Sequence, residues 1–289
     1  KYNKNYEQSF IGLMNYFFFN NLKKKNINLN KSINWFENQP TSKGWFLGIN
    51  NFFPNSISIG YQGFTYFPEI LSIFSTNQEY LSGISPKQIT TIGNAYENLL
   101  NEFTNKITYK TGIALRFNYL KNLKFINFSN RKIDYVVFLT GIKEFDLEVI
   151  KWINDLSYLN TNFCIKSHPN FDVSSVSKKV YKNISFVKND FLYLVENSKC
   201  VICTGPTSAL LECISLGLNL LIPKITLFEE IMSKKVKIAK NQKFVDFQDF
   251  HECVESMKYI KTRNSQNVNG INNFFNLSES FNIDKLFRV

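Results

Sequence analysis

The stretch that decides the fold is Cys200 to Gly217, "CVICTGPTSALLECISLG". An apolar run of strand character ends at Thr204. Five small, polar or rigid residues follow (Thr204-Gly205-Pro206-Thr207-Ser208), and a helical pattern starts at once. Gly205 allows a tight turn and a close backbone approach. Thr207 or Ser208 falls at the N-cap or in the first helical turn, where hydroxyls and free N–H groups point away from the strand. A helix N-terminus carries about half a positive charge and suits phosphate. Taken alone, the stretch is equally well a capped turn or a phosphate cradle.

Working outward, short apolar strands alternate with helices. Strands are expected at 134–141, 161–169, 184–190, 200–205 and 218–223. Helices are expected at 144–157, 191–198, 207–217, 227–236 and 247–261. Such alternation implies a parallel sheet covered on both faces. Ligands of such sheets bind beyond the C-terminal ends of the strands. The positions to inspect are therefore Thr140-Gly141, Ser167-His168-Pro169, Asn189-Asp190 and Thr204 to Ser208, all on one edge if the sheet is parallel.

The first half is built in the same way. "SINWFE" (32–37) and "SISIGYQ" (56–62) read as strands around a helix that opens at Pro40-Thr41. A strand at 89–94 and a helix at 95–105 follow. A full nucleotide-binding-type domain has more strands before this point. The N-terminal domain is therefore expected to be truncated, and the start at Lys1 points to a piece of a longer protein. The pattern loosens across 118–131, and the domain boundary is placed between 125 and 126. The helix expected over 6–25 carries Phe10, Leu13, Met14, Phe17 and Phe18 on one side and ends in Lys23-Lys24-Lys25. Core packing is the first reading of that stripe, and an interfacial anchor the second.

With 289 residues, 44% of them hydrophobic, the chain can bury two sizeable cores. Its 34 Lys+Arg against 23 Asp+Glu give a net charge of +11, which favours anionic partners. Five cysteines within apolar runs read as reduced, buried thiols. Cys200-Val-Ile-Cys203 has metal or redox spacing, but on a strand i and i+3 face opposite sides, and no second pair is near. The chain has two histidines, no P-loop, no G-x-G-x-x-G, no HExxH and no D-x-D in its C-terminal half. Walker-type nucleotide binding, ordinary dinucleotide binding and metal sites are thus unsupported. No charge-free apolar run reaches about 18 residues, so no membrane span is indicated.

Several side chains are candidates for chemistry. His168, at a strand end, can give a proton or hydrogen bond to a phosphate, or merely cap its loop. Glu212 lies one helical turn after Ser208 and could accept both hydroxyls of a ribose, or face solvent. Glu37 could act as a general base or be structural. Arg116 could pair with a carboxylate or phosphate, or brace the interdomain connection.

The strand-end "SHP" followed about 35 residues later by "TGPTSALLE" resembles the HP and Ser/Ser-Thr motifs of GT-B glycosyltransferases that use CMP-activated sugars. That group includes sialyl-, polysialyl- and Kdo transferases of capsule and lipopolysaccharide assembly. Similar patterns occur in teichoic-acid glycerophosphotransferases. The stretches "WFENQPTSKGWFLGINNFFPNSISIGYQG" and "TGIALRF" are similar to those of bacterial surface-carbohydrate biosynthesis proteins. The resemblance implies an α/β GT-B fold of two Rossmann-like domains with parallel sheets, 1–125 binding the acceptor and 126–289 the nucleotide sugar. It implies that His168 contacts the donor phosphate and helps the nucleotide leave. Thr207 and Ser208 would bind phosphate with the Gly205 region (Thr204, Gly205, Pro206), Gly141 would lie at the same edge, and Glu212 would hold ribose. Activity without a metal is expected, the helix dipole and His168 replacing the cation. Thr-Ser stands here where the motif has Ser-Ser, and the acidic motif that supplies the base in some sialyltransferases is not recognisable.

The implied function is transfer of a nonulosonic acid such as Kdo or sialic acid from a CMP donor. The implied acceptor is an anionic or lipid-linked glycan at the cytoplasmic face of the bacterial inner membrane. A CDP-glycerol-type phosphotransferase and a nucleotide-sugar epimerase are alternatives on the same scaffold. A non-catalytic basic module binding glycan or nucleic acid is the alternative of another class. Nucleic acid is not expected, since no RNP, helix-turn-helix or zinc signature is present.

Overall fold

The computed structural model describes residues 3–67, 70–124, 126–175, 183–235, 238–260 and 274–277. The chain divides into two compact units, Lys1–Asn118 with Asn272–Val289, and Tyr119–Ile271. Each is an α/β unit on a wholly parallel sheet, as the GT-B expectation of two Rossmann-like domains requires.

The first sheet has four strands in chain order: β1 (Lys31–Trp35), β2 (Ile57–Gln62), β3 (Gln88–Thr91) and β4 (Thr108–Thr111). Helix α2 (Pro40–Phe52) joins β1 to β2, α3 (Asn77–Leu81) lies between β2 and β3, and α4 (Asn94–Asn101) joins β3 to β4. Phe36, Phe46, Ile49, Ile59, Ile89 and Ile92 are fully buried around it. Residues 274–277 return to this unit. Asn276 is hydrogen-bonded through its backbone to Ile92 and Ala114, and buried Phe275 packs at 4.6 Å, tilted by 40°, on Phe117. The expected division at 125/126 placed these four residues with the second half.

Helix α1 (Asn3–Lys24) lies along α2. Their approach is set by glycines: a Cβ on Gly44 would stand 1.9 Å from the Gly12 carbonyl oxygen, and one on Gly48 would stand 2.8 Å from the Phe19 ring. Phe19, edge-on to Trp45 at 4.9 Å, is the anchor. The α1 side in contact is thus Gly12, Asn15, Tyr16 and Phe19. This corrects the expectation that the Phe10–Phe18 stripe packs into the core. Phe10, Leu13, Met14, Phe17 and Phe18 are all exposed, because the glycine-lined crossing takes the opposite side of the helix.

The second sheet has six strands, β5 (Ile133–Phe138), β6 (Phe163–Lys166), β7 (Ile184–Phe186), β8 (Ser198–Cys203), β9 (Leu220–Pro223) and β10 (Gln242–Val245). Their spatial order is β10-β9-β8-β5-β6-β7. Counted within the unit this is the doubly wound order 3-2-1-4-5-6, whose switch point lies between its first and fourth strands, here β5 and β8. The helices are α5 (Lys143–Asn154), α6 (Phe191–Asn197), α7 (Ser208–Ser215), α8 (Leu227–Lys235) and α9 (Phe247–Met257). Tyr135, Val137, Phe163, Ile165, Ile202 and Leu221 form the sheet's share of the core.

Two strands went unseen in the sequence, β4 ("TYKT") and β10 ("QKFV"). Both are four-residue edge strands with polar residues, so neither carries an apolar run. The expected strands 134–141 and 161–169 stop at 138 and 166, and their last residues are the loops that matter below. Val236 and Lys261, the ends of two expected helices, lie outside the described residues.

One ion pair ties the turn after β1 to the first unit's core. Asn38, with a left-handed φ of 54°, donates through Nδ2 to the Phe74 carbonyl at 3.0 Å, and Lys43 meets Glu79 at 2.6 Å. Burial alone would raise the Glu79 pKa, but donors from Lys43, the Thr76 backbone and Asn38 outweigh it and hold the carboxyl below its ordinary value. A depressed carboxyl stabilises the fold above its unfolded pKa and loses that contribution as pH falls through the folded one. The stability gap between wild type and Glu79→Gln, from urea unfolding, should be widest near neutrality and close between about pH 5 and 3. A pH-independent gap would show that the pair contributes nothing.

The glycine crossing makes a second expectation. Gly44→Ala should cost about 1–3 kcal/mol by overpacking. Gly83→Ala, where a Cβ meets nothing nearer than 3.9 Å but φ is 74°, serves as a comparison of backbone strain without a clash.

Candidate functional site

The site is assembled by strand register. Phe138 of β5 is paired with Lys166 of β6 on one side and with Cys203 of β8 on the other. Two residues beyond this row stand Thr140, His168 and Gly205. All three belong to loops leaving the C-terminal edge, those of Thr140 and Gly205 flanking the switch point and that of His168 one strand further on.

Two glycines with left-handed φ let these loops touch. Gly141 (φ 83°) has no side chain, and a Cβ there would lie 2.5 Å from His168 Nδ1 and 2.8 Å from its Cγ. The imidazole therefore rests on the Gly141 backbone. Gly205 (φ 73°) faces the Thr140 methyl in the same way, at 2.6 Å from a Cβ. Larger residues would be both strained and in collision at either place.

Two carboxylates without solvent access hold the loops. Asp146, in the first turn of α5, accepts from the Thr140 N–H at 2.7 Å, the Thr140 hydroxyl at 2.8 Å and the Gly141 N–H at 3.0 Å. Glu229, in α8, accepts from the Thr204 hydroxyl at 2.7 Å and the Gly205 N–H at 2.6 Å. Its other oxygen accepts from the Thr226 N–H at 2.8 Å and the Thr226 hydroxyl at 2.5 Å. Glu229 thus ties the β8–α7 loop to the β9–α8 loop. Sequence reasoning missed both acids. The signal for Glu229 was present as a capping box, Thr226-x-x-Glu229. Asp146 had only its place in a first helical turn after Thr-Gly.

These clamps sort the expected phosphate ligands. The Thr204 hydroxyl is buried and bonded to Glu229, and the Gly141 and Gly205 N–H groups are both spent on carboxylates. Their role in the geometry is to shape the loops. Thr207 is the N-cap of α7, its Oγ1 accepting from the Leu210 N–H at 3.3 Å. Its proton is left to donate outward or toward Cys203 Sγ, 3.6 Å away. Ser208 is half-buried, and its hydroxyl makes no hydrogen bond among the described residues. Pro206 is exposed at the loop tip.

His168 is half-buried. Its Nδ1 accepts from the Asn170 N–H at 3.2 Å. The neutral ring therefore carries its proton on Nε2, which is free to serve as a donor. Asp172 secures the loop, accepting from the Ser167 hydroxyl at 3.2 Å and from the Ser174 hydroxyl at 2.7 Å. The Ser174 hydroxyl and N–H, aided by Ser167 and Lys188, hold the Asp172 carboxyl below its ordinary pKa. Lys166 points elsewhere, donating to the Lys188 carbonyl at 3.1 Å. The hydrogen-bond donors this edge offers are thus the first N–H groups of α7 and His168 Nε2.

Glu212 does not face solvent. It is 3% exposed and accepts a hydrogen bond from the Tyr119 hydroxyl. Tyr119 also lies edge-on to Phe191, which packs at 5.1 Å on Phe138 at the end of β5. The Cys-x-x-Cys is buried strand: burial pushes the Cys203 thiol up to about 12 and the Cys200 thiol higher. Among the described residues no group of three or more His, Cys, Asp or Glu could hold a metal, and no helix is long and apolar enough to cross a membrane.

Glu37 and Arg116 belong to the first unit. Glu37 accepts from the Trp35 indole N–H at 2.7 Å and lines a cleft of about 330 Å³ with Gln8, Trp35, Gln39, Thr41 and Ser42. Arg116 is exposed, its guanidinium 5.8 Å from the Phe117 ring.

No family model matches the chain, and no curated protein matches it. Among solved structures, it aligns with accessory secretory protein 1, 2 and 3 of Streptococcus pneumoniae at 12% identity, over 92% of this chain and 52% of that one, with a TM-score of 0.46. It aligns with MurG of Acinetobacter baumannii at 8% identity over 83% and 65% of the two chains, TM-score 0.43. With UDP-N-acetylglucosamine 2-epimerase of Rickettsia bellii the values are 14%, 89% and 72%, TM-score 0.44. The chain thus spans about half the length of the first of these and 65% of the second. Likenesses this distant assign no activity.

The loop clamp makes a direct expectation. Glu229→Gln keeps the volume but replaces an acceptor of four hydrogen bonds, and it should cost about 1.5–3 kcal/mol. Hydrogen exchange at Gly205 and Thr226 should accelerate together. Acceleration at one loop alone would show that Glu229 does not couple them.

Proposed function

We propose that the protein is a GT-B-type glycosyltransferase whose second unit binds a nucleotide-sugar donor at the β5/β8 switch point. The observation that supports this most is the meeting of His168, Gly141 and the Thr207-capped α7 at one strand edge. A diphosphate or phosphodiester there would take hydrogen bonds from Ser208 and Thr207 hydroxyls, from the first N–H groups of α7 and from His168 Nε2–H. Glu212 of α7 is the ribose ligand of this reading, a role that requires the Tyr119 hydroxyl to give way to the ribose hydroxyls.

The finer reading is a CMP-linked nonulosonic acid as donor and an anionic or lipid-linked bacterial glycan as acceptor, on the cytoplasmic face of the inner membrane. It rests on the "SHP…TGPTSALLE" pattern. In the reaction, the bond from the anomeric carbon to the phosphate oxygen breaks and its electron pair leaves with the nucleotide. His168 stabilises that charge by its Nε2–H donor. The acceptor hydroxyl forms the new bond to the anomeric carbon and gives its proton to a base, for which Glu37 is the proposed group.

Binding of CMP against UDP, GDP and ADP by calorimetry tests the donor. CMP should bind in preference, and a folded protein that ignores CMP but takes UDP would move the assignment to another nucleotide sugar. His168→Ala should lower turnover by roughly 10²–10⁴ with nucleotide affinity little changed. Ser208→Ala should chiefly weaken the nucleotide. Unchanged turnover in the first and unchanged affinity in the second would remove both residues from the site.

A further inference from the structure

On the helical flank of the second unit, α5 and α9 enclose a pocket of about 270 Å³ that the donor site does not use. Its floor is Trp152, Leu156 and Phe250, all buried. Its walls are the exposed rings of Tyr158 and Phe247. Trp152 stands 5.1 Å from Phe247 at 60° and 5.4 Å from Phe250 at 62°, so the rings splay around a hollow instead of stacking shut. The indole is fixed by its N–H, which donates to Glu148 at 3.0 Å. Tyr158 is steadied by His251, 5.6 Å away and tilted by 32°.

The charge around this hollow runs against that of the chain. Asp155 lines it, and α9 carries Asp249, Glu252 and Glu255 without a lysine or arginine. The net charge of the whole chain is +11. Of the lysines on the flanking elements, Lys151 pairs with Glu148 at 3.3 Å, Lys224 with Asp246 at 2.5 Å, and Lys258 donates to the Thr161 hydroxyl at 3.1 Å. Aromatic faces with a carboxylate at the rim are the chemistry that recognises a substituted ammonium group.

We infer that this pocket binds a small organic cation of the alkylammonium class, with Tyr158 and Phe247 as its walls and Asp155 as its counter-charge. The inference is independent of the donor site. An anionic ligand is disfavoured there by Asp155, the carboxylate of its lining.

Choline is the probe, and 3,3-dimethyl-1-butanol is its uncharged isostere. In two-dimensional NMR, choline should shift the Trp152 indole N–H saturably, with a Kd on the order of 1 mM. The neutral alcohol should bind at least about tenfold more weakly. Tyr158→Ala and Asp155→Asn, both at exposed positions, should each weaken choline roughly five- to thirtyfold while melting like the wild type. Equal shifts by choline and the alcohol would reduce the pocket to an apolar crevice. Absence of any shift at Trp152, or choline affinity unchanged in both variants, would overturn the site.

Discussion

The turn after β8, at the C-terminal edge of the second sheet, depends on where the charge of Glu229 goes. A carboxylate with no solvent contact is costly unless its oxygens are satisfied. Here each oxygen has two donors, one pair from the β8–α7 loop and one from the β9–α8 loop. The requirement acts in reverse on the chain. Because an unsatisfied buried Glu229 is costly, the Thr204 hydroxyl and the Gly205 N–H are tied to it, and this restrains the loop that follows β8. Asp146 imposes the same condition on Thr140 and Gly141. The clamped donors are thus spent within the fold, and Thr207, Ser208 and His168 lie outside the two clamps. Rigid supports with a few unspent donors are what electrostatic preorganisation needs.

This division of labour was only half legible in the sequence. The strand–turn–helix at Cys200–Gly217 and the His-Pro turn stand out because strand and helix periodicities switch at loops rich in small residues. Parallel pairing then brings the loops to one edge as a matter of topology. Which polar atoms remain available could not be read, because that depends on acids far along the chain. Glu229 is 24 residues from the Gly205 amide it takes. Tyr119 and Glu212 are separated by 93 residues, and nothing local to either suggests that they meet.

The helix α1 shows the other limit. Its apolar residues are real, but periodicity does not say which of two stripes meets the fold. The answer lay in the glycines. Gly12 and Gly44 let the backbones of α1 and α2 come close enough for Phe19 to reach Trp45, and that contact selects the side with fewer large apolar residues. Close backbone packing outweighed the gain from burying a wider stripe, because only one side of α1 can meet the glycine face of α2.

The same logic separates the glycines of the α1–α2 crossing from those at the C-terminal edge of the second sheet. Gly12 and Gly44 are required by proximity alone. Gly141 and Gly205 are required twice, by left-handed φ and by the neighbour that fills the space a side chain would take. At Gly141 that neighbour is the imidazole of His168, so the residue that fixes the turn also fixes the ring. His168 then has Gly141 beneath it and the Asn170 N–H on its Nδ1, which together orient Nε2 and assign its proton.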